Sequence, residues 1–311
     1  MSMCGTLLNY SLLFGSILMI GALSGFLSEK AGIVNIGIDG MMCFGAVFYS
    51  IFSSPVLGFG TDGPMGNFGM IFSLLLTMVA TSLIGVLHAY ATINLKSNHV
   101  ISGTAINLIG IAFATFVNPT LASSLYNGVS RLESGYHDFL YIGGSIYGSS
   151  IMIFTITIMI MLGVFFFTKY TKTGLRYRAV GENPFAVAAQ GISVFKYQWI
   201  AVILSAAFAG LAGGLFLFNV NNFPGNTQGI GYLALAIMIV GAWRIDWIII
   251  ASIVFAMFTA LSLTNILTNV GIARELALAI PYIINLFVLL FFSKWVRAPE
   301  HDGIPFEYSK R

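Results

Sequence analysis

The sequence predicts an all-α polytopic membrane protein of about nine transmembrane helices, and three observations carry that prediction. Hydrophobic residues make up 58% of the 311-residue chain and charged residues only 8%. The mean hydropathy is +0.90, well above that of a soluble domain. The charges are also spaced to leave long apolar intervals, at 1–28, 40–61, 63–95, 97–130, 139–168, 197–243, 247–273 and 276–293. Each interval suits one crossing of about 20 residues, and 197–243 suits two. These runs are continuous, without the period-two alternation of a membrane β-barrel.

Taken in order, the first interval reads as a retained span, because it lacks a basic leader and further spans follow. The 97–130 and 139–168 spans flank a sizeable loop expected at 119–147. The next polar segment, 169–198, separates two long apolar runs. The Asn-, Pro- and Gly-rich stretch from Asn219 to Gly229 divides the double-length interval. Residues 1–298 thus form the membrane domain, and 299–311 are expected to be a short disordered tail. Cys4 and Cys43 lie in apolar surroundings and do not read as a disulfide framework.

Sidedness follows from the basic residues. With 169–198 in the cytoplasm, twelve Lys and Arg fall on that side, while only Arg131 and Arg274 fall outside. The 119–147 loop is then external, the N-terminus outside and the C-terminal tail inside. The region near Lys30 fits either a surface loop or a break in a discontinuous helix. A net charge of +3 calls for no nucleic-acid partner, since basic residues here chiefly set orientation. Anionic lipid is a natural partner for Arg176 and Arg178, as is an acidic protein surface.

Two segments echo one another. "NIGIDGMMCFGAVF" from Asn35 and "QGIGYLALAIMIVGAW" from Gln228 each put Gly-rich, polar backbone ahead of an apolar run. They enter the membrane from opposite sides, the arrangement of inverted transporter repeats. Glycine is also common in membrane helices for close packing alone.

Within 169–198, Asn183 suits an N-cap, Pro184 the first helical position and Gly191 the residue beyond the end. Glu182 precedes that helix, where its charge favours the dipole. Ala186, Ala188 and Ala189 keep the helix thin. So short a helix is unstable alone and must rest on something.

"GLRYRAVGENPFAVAAQGI" resembles the cytoplasmic coupling segment of permeases in the branched-chain amino acid, ribose and nucleoside group of ABC importers. "SEKAGIVNIGIDGMM", from Ser28, resembles the nucleoside-type branch, which typically has Glu where this chain has Asp39. "FPGNTQGIGYLALAIMIVGAW", from Phe223, resembles a later segment of the same branch. The three fall in order and span about 28–243. The resemblance implies an ABC-importer permease fold whose coupling helix docks on a separate cytoplasmic ATPase. It assigns ATPase coupling to Arg178, Gly181, Glu182, Asn183, Pro184, Ala186, Ala189 and Gly191. The chain has no G-x-x-x-x-G-K-[ST] loop, so ATP is expected on the partner, with no cofactor or catalytic residue here. A second, different permease and an extracellular substrate-binding lipoprotein are the other partners implied.

Asn35 and Asp39 are the leading residues for a substrate route, with Asn107 and Asn265 also near spans. An ionisable group within a span costs about 2.5–3.5 kcal/mol on insertion scales, which argues for purpose. Asp39 could equally cap a helix start, and the asparagines could bind neighbouring helices. The four histidines show no ligand spacing, so no metal is expected. The expected function is the membrane subunit of a nucleoside importer. A sugar or branched-chain amino acid permease is the alternative within that class, and an ion-coupled carrier the alternative outside it.

Overall fold

The apolar intervals fold almost entirely into helices. The computed structural model describes residues 3–57, 68–126, 129–135, 147–264, 266, 271, 273–292 and 297–307. Among the described residues, seven helices are long and apolar enough to cross a membrane. They are α1 (Met3–Glu29), α3 (Phe68–Ala89, with a π turn over Tyr90–Asn94), α4 (His99–Leu125), α5 (Tyr147–Tyr170), α8 (Val194–Val220), α10 (Ile245–Leu263) and α11 (Arg274–Phe292). Two apolar helices are shorter: α2 (Ile38–Phe52) and α9 (Ile230–Val240).

The seven spans and these two together match the expected count of about nine, but α2 and α9 are not full-length. At 1.5 Å per residue α2 is roughly 22 Å long and α9 roughly 16 Å, against a hydrocarbon core of about 30 Å. Each is completed by preceding non-helical chain, 30–37 for α2 and 221–229 for α9. The region after Lys30 is therefore a broken crossing rather than a surface loop.

Helix pairing shows the repeat. α3 packs along α8 as α10 packs along α1, and α2 meets α8 as α9 meets α1. α4 lies on α2 as α11 lies on α9. So α1–α4 and α8–α11 exchange equivalent partners, with residues 147–193 between them. α1 and α8 are the most enclosed spans, while α4, α5 and α11 turn most of their surface outward. Leu108, Phe116, Met159 and Leu286 are among the exposed side chains, which suits contact with lipid.

Three boundaries differ from expectation. α4 continues through Pro119 to Leu125, so the loop expected from 119 begins later. Membrane helices tolerate such a proline when neighbours satisfy the freed backbone. Residues 129–135 fold back over α2 and α8: Phe223 N–H donates to Leu132 O at 2.8 Å, and Ser50 Oγ to Glu133 O at 2.8 Å. Residues 136–146 lie outside the described chain. The 169–198 segment holds two helices, α6 (Lys172–Glu182) and α7 (Pro184–Ala189), where one was expected. Thr171 caps α6 by accepting from Gly174 N–H, and Tyr177 and Val180 bury its inner face.

The tail is also ordered over 297–307. Its His301 N–H donates to Gly181 O at 3.0 Å, and Gly303 N–H to Gly32 O at 3.2 Å. The Phe306 ring sits between Phe185, centroids 5.2 Å apart, and Phe195 at 5.6 Å. Glu307 pairs with Lys96 at 3.3 Å. Burial raises the Asp302 carboxyl to about 7. An aromatic anchor and two backbone hydrogen bonds thus hold a polar segment that composition alone left unstructured.

Candidate functional site

The two half-helices begin at the same place. A helix start leaves unpaired N–H groups, and hydrocarbon supplies no water to satisfy them. At α9 neither Gly229 nor its neighbours provide a side-chain cap. Asp39, in the first turn of α2, does so from across the gap. Its Oδ1 accepts from Gly231 N–H at 2.9 Å and from Thr227 Oγ1 at 2.7 Å. A carboxylate suits the positive end of the α9 dipole.

The start of α2 is served in the same way by α4. Asn107 Oδ1 accepts from Gly40 N–H at 2.7 Å, and its Nδ2 donates to Ile36 O and to Tyr232 Oη, both at 2.8 Å. Asn35 Oδ1 accepts from Gly37 N–H at 3.1 Å, while its Nδ2 donates to Ser205 Oγ of α8 at 2.9 Å. Both half-helix starts are therefore capped in trans. Backbone proximity makes this possible: a Cβ on Gly231 would stand 2.4 Å from Asp39 Cα, so no larger residue fits.

His88 braces the same region. Its Nε2 reaches Val34 O at 3.3 Å, which leaves Nδ1 to accept from Ser102 Oγ at 2.9 Å.

A cavity of about 490 Å³ opens beside the start of α9, in the half of the bundle away from α6 and α7. Tyr10, Phe14, Phe216 and Tyr282 supply aromatic wall, and Asn219, Gln228 and Ser262 supply polar groups. Tyr282 Oη donates to Gln228 O at 2.8 Å. Gln228 holds a left-handed backbone, φ 55°, a conformation uncommon outside glycine. Asn219 Nδ2 is buried without an acceptor among the described residues. Asn35, Asp39 and Asn107 do not line this cavity. They are buried among protein partners. Asn265 lies outside the described residues.

At the other end, α7 is set by purely local chemistry. Asn183 Oδ1 accepts from Ala186 N–H at 3.0 Å, Pro184 opens the helix, and Gly191 follows it at φ 74°. Glu182, Asn183, Ala186, Ala189 and Gly191 face outward, whereas Gly181 and Pro184 are buried. Gly181 belongs to a seam, since a Cβ there would meet Lys30 O at 2.4 Å. Arg178 is half-buried and turned away from the α7 face into a separate pocket. The Tyr177 hydroxyl donates to Leu27 O, tying α6 to the end of α1. Burial pushes that hydroxyl's pKa up.

The sequence reading missed Thr227, Tyr232, Gln228 and Tyr282. The polar "NTQG" run ahead of an apolar helix was the available signal for the first and third.

Comparison with known proteins agrees with this architecture. A family model described as branched-chain amino acid transport system / permease component matches residues 7–289. An uncharacterized protein of Mycoplasma genitalium is 37% identical, over 94% of this chain and 95% of its own. The nucleoside ABC transporter permease protein NupC of Lactococcus lactis is 30% identical, over 96% of each chain. The guanosine ABC transporter permease protein NupQ of Bacillus subtilis is 29% identical, over 97% of this chain and 96% of its own. No solved structure matches. The chain is a multi-pass membrane transport subunit, and it belongs to the branched-chain amino acid transport system / permease component family.

Proposed function

We propose that this permease is the membrane subunit of an ATP-driven importer and that it carries nucleosides. The observation that carries the reading is the similarity, nearly end to end, to permeases named for nucleoside and guanosine transport. ATP is hydrolysed on a separate ATPase chain, against which the outward face of α7 docks. A second, different permease completes the route, and an extracellular lipoprotein delivers the substrate. The route passes the meeting point of α2 and α9, where Asn35, Asp39 and Asn107 hold the broken segments. The cavity beside α9 suits a nucleoside: aromatic rings stack on a base, and amides and hydroxyls bond the sugar. Its volume falls in the range of small-molecule pockets, about 300–1,000 Å³.

Uptake by the reconstituted complex tests the assignment. Radiolabelled guanosine or adenosine is expected to enter with ATP, and excess unlabelled nucleoside to compete. Entry of leucine or ribose without nucleoside competition replaces the substrate. Uptake driven by a proton or sodium gradient without ATP replaces the whole reading with an ion-coupled carrier.

The clustering of basic residues around α6, α7 and the tail supports the proposed sidedness, with α7 cytoplasmic and the N-terminus outside. Ser130 and Asn183 are both exposed, which makes them fair reporters. In a background lacking Cys4 and Cys43, Ser130→Cys is expected to react with an impermeant maleimide in sealed cells, and Asn183→Cys to stay unlabelled until lysis. Labelling of position 183 from outside reverses the topology.

A further inference from the structure

A second pocket, of about 330 Å³, lies where the spans end at the α6–α7 side. The ends of α1 and α5, the side of α6 and the turn from α9 to α10 form it. Four cations line it, Lys30, Lys169, Arg178 and Arg244, against one carboxylate, Asp246. Arg244 is paired with Asp246 at 2.7 Å, and Lys30 with Glu182 at 3.0 Å. That leaves Lys169 and Arg178 without a carboxylate among the described residues. Lys169 Nζ sits 4.9 Å from the Phe165 ring centroid. Arg178 Nε is buried with no hydrogen-bond acceptor among the described residues. A guanidinium nitrogen withdrawn from water and left unpaired is costly, so the site favours an anionic acceptor.

The remaining wall is apolar and aromatic: Phe26, Phe165, Trp243 and Ile245. Trp243 has a left-handed backbone, φ 51°, and its indole N–H is already committed to Glu29 Oε2 at 2.8 Å. The pocket thus offers a ligand cationic donors at one side and hydrocarbon at the other, at the level where lipid headgroups lie. A recessed site of this kind fits a phosphate better than a flat protein surface, because Arg178 is half-buried and its Nε is withdrawn from solvent. Arg and Lys pockets between spans bind anionic lipid headgroups on the same physical grounds.

We infer that this pocket binds the phosphate of an anionic phospholipid, with Arg178 and Lys169 as its principal donors and the aromatic wall against the glycerol and upper acyl chain. Bound there, the lipid bridges α6, which leads directly into α7, to α1, α5 and α10.

Native mass spectrometry of the full-length permease in detergent tests this by titration with phosphatidylglycerol and, separately, phosphatidylcholine. Phosphatidylglycerol is expected to be retained preferentially. Lys169→Gln and Arg178→Gln should each weaken it by about fivefold, the equivalent of one headgroup-level cation. Arg178→Lys should recover most of the loss, and Lys172→Gln, a cation outside the pocket, should change nothing. Lys169 is exposed, so its variant reports even where Arg178→Gln does not fold. Equal retention of the two lipids overturns the proposal. So does a Lys172→Gln loss equal to that of Lys169→Gln, which means diffuse surface charge. Displacement of the lipid by millimolar inorganic phosphate also overturns it, since the site then takes a soluble phosphate.

Discussion

Asp39→Ala is expected to abolish uptake and lower the unfolding temperature, whereas Asp39→Asn keeps the fold. The alanine removes the acceptor for both Gly231 N–H and Thr227 Oγ1, at the start of a helix buried in the bundle. Each buried donor left unpaired costs about 1–3 kcal/mol. Two together rival the few kcal/mol that separate folded from unfolded states. Asparagine retains an oxygen at the Oδ1 position and serves as a cap nearly as well as aspartate. The pair of variants therefore separates two roles. If Asp39→Asn folds but does not transport, the carboxylate acts on substrate or on conformational change as well as capping α9. If Asp39→Ala transports and melts like the parent, the cross-cap carries no weight. Thermal unfolding of purified protein and nucleoside uptake in proteoliposomes are the two readouts.

Ala189→Trp is expected to have the opposite signature, with stability unchanged and function lost. Ala189 is exposed on α7, and an exposed substitution moves stability by about ±0.5 kcal/mol. An indole in a close-packed docking groove cannot be accommodated without displacing one partner. Uptake and permease-stimulated ATP hydrolysis should both fall to background while the unfolding temperature holds. Val187→Ala is the matched control, because Val187 is buried between α7 and the Phe306 cluster. That variant should lose stability, by roughly 0.5–1.5 kcal/mol or somewhat more, with a smaller effect on coupling. Normal uptake by Ala189→Trp means that no partner touches this face.

What could be read in advance divides by range. The caps of α7 were legible because Asn183, Pro184 and Gly191 act on backbone within three residues. The long spans were legible because bilayer thickness translates directly into run length. The broken crossings were half legible: the glycine-rich echo marked both segments, but nothing in it says that they start face to face. Their caps join residues 67 and 192 positions apart. No local pattern carries that pairing. α6 escaped because its charges outweighed the Tyr177 and Val180 spacing, and the tail escaped because a single Phe306 anchors it. Asn107 read as a route residue or as a partner for a neighbouring helix, and its geometry is that of a cap on α2.

The cross-cap also orders events during synthesis. Asp39 leaves the ribosome 192 residues before Gly231. At about 5–20 residues per second, that is a wait of roughly 10–40 s. Throughout it α2 is too short to span alone, its carboxylate has no N–H to accept from α9, and the first repeat cannot settle at its final depth. The nascent first half must therefore be sheltered, by the insertion machinery or by staying near the membrane surface, until the second repeat arrives to close the pair. A chain that stops before α9 leaves the Asp39 carboxyl without the Gly231 and Thr227 donors, an uncovered polar group inside the helical bundle.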